Sequence, residues 1–249
     1  MNVVKIKNVE FNNFSMSQFL DIFNHRIKEE KKTFVVTGNP EIVVLANEDP
    51  QYMEAIKKAD FIVPDGIGII KASHILKRPL KERVAGFDLM RELLKLAEKE
   101  QYTVYLLGAK DETLNKAVRN IKHAFPQIQI VGWHHGYFDL SDESIVHQVL
   151  QSDADLIFVG TGFPKQEFWI EQHLGKFRKG FFMGVGGSFD VWAGDVKRAP
   201  QFWIDHNLEW LYRLIQQPSR IKRMFALPKF LFWILREKER NNGQHDGGK

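Results

Sequence analysis

The stretch FIVPDGIGII, residues 61–70, ends an apolar run on Asp65 and follows it with Gly66 and Gly68. A carboxylate there is badly placed for a core. Two uses fit it. One is a general base, ionised and partly desolvated beside a substrate hydroxyl; the other is the N-cap of a helix that begins near Ile67. Arg83, in KRPLKERVAGFD, follows a basic cluster. Its planar fork suits a phosphate, and it would serve equally as a solvated surface charge. Further polar clusters are Thr37-Gly38-Asn39, His134-His135-Gly136-Tyr137, Gly160-Thr161-Gly162-Phe163-Pro164-Lys165-Gln166 and Gly186-Gly187-Ser188-Phe189-Asp190. Glycines at such places let a ligand approach the backbone, and helix N-termini after them favour anionic groups. Each cluster taken alone is also what an ordinary turn requires.

Several chemistries lack their residues. A dinucleotide site needs G-x-G-x-x-G directly after the first strand, where this chain has TGNPE, and GVGGSFD comes last with the wrong spacing. Neither a phosphate-binding G-x-x-x-x-G-K-[ST] loop nor a G-x-S-x-G elbow is present. Asp153-Ala154-Asp155 resembles the metal-binding acidic triplet of many nucleotide-sugar transferases, but it precedes its strand and so belongs at the edge opposite the ligand loops. His134 and His135 are adjacent, an arrangement that a strand points to opposite faces. No metal and no cofactor is therefore expected.

The polar clusters need elements to hold them. Apolar runs at 33–39, 59–66, 102–109, 128–136, 154–162 and 180–187 alternate with amphipathic stretches such as GFDLMRELLKLAEKEQ, in which Leu89, Leu93, Leu94, Leu96 and Ala97 recur near a 3.6-residue period. Strands joined by helices of this length imply right-handed crossovers. The expected fold is α/β: a Rossmann-like, mostly parallel sheet with helices on both faces. Each polar cluster follows a strand, so all of them should gather along one sheet edge, where open α/β folds bind ligands.

The chain has 249 residues, no cysteine and a net charge of +4. Neither a disulfide framework nor a thiolate metal site is possible, which fits a reducing interior. The first residues lack the build of a signal peptide, and no apolar run reaches the length of a membrane span. From Pro218 onward there are eight basic and three acidic residues, so the excess basicity lies in the C-terminal stretch. RIKRMFALPKFLFWILREKER mixes bases with dense aliphatic and aromatic residues. It reads as an interfacial helix among anionic headgroups or as a C-terminal helix docked on the body; nucleic acid is the weakest of the three partners considered. The expected division is an α/β catalytic domain over 1–195 and a helical, membrane-docking appendage over 196–249, disordered from about 241.

Four blocks carry a family resemblance: VTGNPEIVVLANEDPQYMEAIKKADFIVPDGIGII, RVAGFDLM, VGTGFPKQEFWI and GVGGSFDVWAGDVKRAP. In order and spacing they resemble the WecG/TagA/CpsF family of bacterial glycosyltransferases, most closely its TagA branch. The resemblance implies metal-independent, inverting transfer from a UDP-sugar to N-acetylglucosamine on a polyprenyl diphosphate at the cytoplasmic membrane face. For that branch the sugar is N-acetylmannosamine, added in a β-1,4 linkage to make the linkage unit of wall teichoic acid. By the same resemblance Asp65 is the base that deprotonates the acceptor C4 hydroxyl, with Thr37 and Asn39 beside it. Arg83 stabilises diphosphate charge, Gln166 is a pocket residue, and Tyr137, Gly187 and Asp190 line the uridine side. Arg213, Arg220 and Arg223 belong to an appendage that closes over the site on the membrane. Other readings are a donor of different sugar (N-acetylmannosamine uronic acid, glucose or galactose), a non-catalytic UDP-sugar-binding regulator, and an NAD-dependent enzyme. Apolar surface on the tail is also open to masking by self-association away from the membrane.

Overall fold

The computed structural model describes residues 2–206, 208–218, 221 and 225–246; the side chains of Arg213 and of residues 241–246 lie outside the description. A hairpin opens the chain, β1 (Val3–Ile6) pairing antiparallel with β2 (Val9–Asn12), and α1 (Met16–Lys28) follows it. Next come β3 (Thr33–Gly38), α2 (Pro40–Glu48), α3 (Pro50–Lys57), β4 (Phe61–Pro64), α4 (Ile67–Ile75), α5 (Gly86–Glu100), β5 (Thr103–Gly108) and α6 (Asp111–Ala124). The second half holds β6 (Gln129–His134), α7 (Glu143–Gln151), β7 (Leu156–Gly160), α8 (Lys165–His173), β8 (Phe181–Gly184) and α9 (Ser188–Ala193). Then α10 (Gln201–Asp205), α11 (Glu209–Gln216) and α12 (Ala226–Asp246) form the C-terminal segment.

β3 to β8 form one six-stranded sheet in the order β4-β3-β8-β7-β5-β6, with every neighbouring pair parallel. All six apolar runs are therefore strands, and the sheet is the one expected. Alternate residues feed two cores. Phe34, Val36, Tyr105, Leu107, Ile157, Val159 and Phe182 face one; Val35, Val104, Leu106, Leu156, Phe158, Phe181 and Met183 face the other. Burial on both faces is why these strands read as continuous rather than alternating hydrophobic runs. β6 departs from this, with Val131 and Trp133 exposed, because it is an edge strand.

The hairpin is an element that the sequence did not announce, since its two-residue turn, Lys7-Asn8, lacks the Asn-Gly or Asp-Gly signature. It seals the other edge of the sheet. Ile6, Val9 and Phe11 are buried against β4, and the Asn12 side-chain oxygen accepts from the Ile62 amide at 2.8 Å. A donor on an exposed edge is thereby satisfied. At the N-terminal edge Asp155 accepts from the Thr103 amide at 2.9 Å and from Lys179 at 2.7 Å. The Asp153-Ala154-Asp155 triplet thus staples strands together at the edge away from the ligand loops.

The C-terminal segment is not a separate body. α12 packs on α2 and α4, and its Phe230 and Ile234 are as buried as the sheet residues whose core they share. Lys229 pairs with Glu48, while Lys7 and Lys229 both lie over the Trp233 ring. The backbone of α12 runs as a helix to Asp246. No described helix is long and apolar enough to cross a membrane.

Candidate active site

The C-terminal strand ends converge where the strand order reverses, at β3 beside β4 and β8, which is the switch point of an open α/β sheet. Asp65 leaves the end of β4 with its amide still paired to the Gly38 carbonyl at 2.9 Å, so strand geometry fixes its position. It does not cap α4. The N-cap is Gly66, at φ +95° and without a side-chain cap bond, so the capping use proposed for Asp65 is not made. Gly66 is needed for that left-handed conformation. Gly68 serves packing rather than substrate access, because a Cβ there would come within 2.7 Å of the Pro40 ring.

Asp65 stands on a wall shared by two recesses. The larger, about 410 Å³, is mainly apolar and is roofed by Trp210 and Leu214 of α11 and Leu227, Phe230, Leu231 and Ile234 of α12. The smaller, about 120 Å³, is mainly polar and lies over β3, β7 and β8, lined by Thr37, Gly86, Gly162, Gln166, Gly186 and Gly187 among others. Asn39, Glu41 and Asp65 border both. The first turn of α5 comes close, since a Cβ on Gly86 would lie 3.4 Å from Asp65 Oδ2 and 3.1 Å from Thr37 Cγ2. A helix N-terminus at that distance favours negative charge.

Around this centre lie Thr37, Asn39, Gln166, Gly187 and Asp190. The Thr37 hydroxyl donates to the Gly184 carbonyl at 3.2 Å, tying β3 to β8. Asn39 caps α2, its side-chain oxygen accepting from the Ile42 amide at 3.0 Å. Gln166 is buried and acts as a clamp, accepting from the Gly186 amide at 2.9 Å and donating to Glu167 Oε1 at 2.6 Å. Gly187 lines the polar recess, and Asp190 lies beside it in the first turn of α9, a Cβ on Gly187 meeting Asp190 Oδ2 at 3.1 Å. Tyr137 is not brought in. It is 70 % exposed after β6 and borders neither recess. β6 stands five strand spacings from β4, about 24 Å. His134 and His135 lie at that far edge too; because the strand ends at His134, their rings lie together, centroids 4.3 Å apart and tilted by 45°, instead of facing opposite ways. Among the described residues no three His, Asp or Glu converge as a metal ligand set.

Arg83 is held by the backbone bond from the Val84 amide to the Pro64 carbonyl, 2.9 Å, which lays its segment along the end of β4. Its Nη2 is 2.6 Å from Glu209 Oε2 and 3.9 Å from Asp65 Oδ1. Burial works against the guanidinium charge, yet Asp65 and Glu209 together hold its pKa above the ordinary arginine value. Arg83 is thus no solvated surface charge. Glu209 was not legible in the sequence: NLEWLYRLI shows a helix start with an acid in its first turn, and nothing local ties that acid to a residue so far back in the chain. Glu167 also went unremarked. It lies directly under the clamp, fully buried, and burial pushes its carboxyl up to about 8. Of the appendage arginines, Arg213 belongs to α11 without a described side chain, and Arg220 and Arg223 lie outside the described residues.

Comparison with known proteins matches residues 4–244 to the model described as "Glycosyl transferase WecG/TagA/CpsF family". Curated relatives from Staphylococcus aureus strains MW2 and NCTC 8325 / PS 47 are each 41 % identical over 239 residues, covering 95 % of this chain and 94 % of the relative. Both carry the name N-acetylglucosaminyldiphosphoundecaprenol N-acetyl-beta-D-mannosaminyltransferase. With the match spanning both the sheet that carries Asp65 and the helices that roof it, the chain belongs to the WecG/TagA/CpsF family of glycosyltransferases.

Proposed function

We propose that this glycosyltransferase moves N-acetylmannosamine from UDP-N-acetylmannosamine to the C4 hydroxyl of N-acetylglucosamine on undecaprenyl diphosphate. The product is the β-1,4-linked disaccharide lipid of the wall teichoic acid linkage unit. The observation that carries the reading is the position of Asp65 on the wall between a polar and an apolar recess. A transfer between a nucleotide sugar and a lipid-linked sugar needs two such compartments with a base where they meet. The polar recess, bordered by glycines and the Gln166 clamp, suits the nucleotide sugar. The apolar recess under α11 and α12 suits the first isoprene units of the acceptor. The relatives' printed name supports the donor sugar and the acceptor.

The chemistry follows from the residues. The acceptor oxygen attacks the anomeric carbon as the bond from that carbon to the UDP oxygen breaks. The acceptor proton passes to Asp65, and UDP leaves with the bonding pair. One displacement inverts the anomeric centre, so one carboxylate suffices as base. Arg83 and the N-terminus of α5 oppose the charge that develops on the departing diphosphate, and no step calls for a metal ion. The exposed apolar residues of the C-terminal segment, Phe225, Leu231, Phe232 and Leu235, together with its bases, support a working position on the inner face of the cell membrane.

UDP release tests this, measured over a panel of UDP-sugars with and without a lipid-diphosphate N-acetylglucosamine acceptor, in the presence and absence of EDTA. The expected result is acceptor-dependent release from UDP-N-acetylmannosamine, insensitive to EDTA. Release from another donor alone would replace the sugar, and loss with EDTA would replace the metal-free mechanism.

A further inference from the structure

The Arg83–Glu209 pair is placed oddly for a site that must bind diphosphate. Glu209 brings a second carboxylate to the cation beside the base, and it comes from the C-terminal segment rather than from the sheet. One guanidinium nitrogen, Arg83 Nη2, serves both acids, close to Glu209 and 1.3 Å further from Asp65 (3.9 against 2.6 Å). Arg83 Nε is buried without a hydrogen-bond partner among the described residues, so the guanidinium keeps a donor beyond this pair.

We propose that Glu209 is a positioning residue of the transfer reaction: its carboxylate draws the Arg83 guanidinium off Asp65 and, through the same ion pair, fastens α11 over the site. The proposal rests on the reading of Asp65 as the base. Its logic is competition for one cation. At a partly buried site a charge-assisted bond to the nearer carboxylate is strongly preferred. Without the Glu209 charge, the nearest anion is Asp65, and a shift of about 1 Å would convert the contact into a direct hydrogen bond. An aspartate bound in that way is a poorer base, because both the bond and the positive charge favour its ionised form. Among the described residues, the other charges that border this centre are Glu41 and Lys71 in the larger recess and Asp88, which acts on Arg83 from α5.

The experiment compares full-length wild type, Glu209→Gln and Glu209→Asp by steady-state kinetics across pH, with hydrogen exchange of the α11 amides. Glu209→Gln keeps the shape and removes the charge. It should lower kcat by about tenfold or more, with a change in donor KM of less than about threefold. The acid limb of its pH–kcat profile should move to lower pH, and the α11 amides should exchange faster. Glu209→Asp, which retains the charge, should recover most of kcat. Unchanged kcat and acid limb in Glu209→Gln would overturn the proposal, even with faster α11 exchange, because Glu209 would then be a tether only. A fall in kcat with an unmoved acid limb and no recovery in Glu209→Asp would overturn it too. The parent reading fails separately: if wild type transfers sugar from no donor, that reading falls and the proposal falls with it, whereas active wild type with unaffected variants sinks the proposal alone.

Discussion

Asp65, Arg83 and Glu167 differ in what surrounds their charges, and each surrounding makes its own prediction. Asp65→Asn keeps the shape of the side chain and removes its capacity to take a proton. Acceptor-dependent UDP release should fall by about 10²–10⁴-fold while donor binding by calorimetry persists. Arg83→Lys keeps the charge but loses the planar fork that meets Glu209 and, in the proposed reaction, a diphosphate, so kcat/KM should drop by about 10–100-fold. Glu167 reports on stability rather than chemistry. Burial raises its carboxyl to about 8 in the folded chain, against about 4.3 when unfolded. Between those values the folded state holds a proton that the unfolded state has released, so stability declines as pH rises, and above about 8 the loss is complete. Glu167→Gln should flatten this decline. The Tm of the variant minus that of wild type should grow from about pH 4 to about pH 8 and then level off; a constant difference would refute the assignment.

At the scale of elements, the site depends on how closely strand ends approach one another. Gly108 closes β5 at φ +146°, and a Cβ there would lie 2.4 Å from the Gly160 carbonyl carbon at the end of β7. Gly108→Ala therefore combines an unfavourable backbone with a clash that no side chain can relieve. A cost above about 3 kcal/mol is expected, equivalent to a Tm lower by about 6–12 °C in a chain of this size. Gln166 gives the corresponding lesson for a helix start. The G-F-P-K-Q motif suggested a pocket residue, and the structure has it bridging the β8–α9 loop to Glu167, so its amide shapes the recess from beneath. Strand and helix identities were readable because hydrophobic periodicity survives in the one-dimensional chain. The N-terminal hairpin and the role of Gly68 were not, because one lacks a strong turn signal and the other depends on a proline in a different helix.

For the molecule as a whole, α12 presents two apolar faces, one buried and one exposed. Phe230 and Ile234 are buried against the body, whereas Phe232 and Leu235 are 59 % and 44 % exposed. The two faces should separate cleanly in experiment. Phe232→Ser and Leu235→Ser combined should abolish co-sedimentation with anionic vesicles and leave Tm within a few degrees of wild type. Phe230→Ser with Ile234→Ser should instead destabilise the fold, at about 3 kcal/mol or more for two buried side chains lost. Equal vesicle binding by the double variant and wild type would remove this face from the membrane reading. The basic stretch that the sequence suggested as either an interfacial helix or a docked one is docked, with a second face left outside it.

The sequence by itself determined the parallel α/β sheet, the edge at which its loops gather and the family. All of these reside in local periodicity, in motif order and in what each strand leads into. Tertiary structure alone decided the rest. That Tyr137 and the histidine pair stand at the far edge follows from strand order, which no local pattern encodes. That Asp65 leaves the capping of α4 to Gly66 follows from backbone geometry. That Glu209 meets Arg83 follows from the docking of a segment remote in the chain, where the energy of an ion pair depends on distance in space and partial burial rather than on sequence separation.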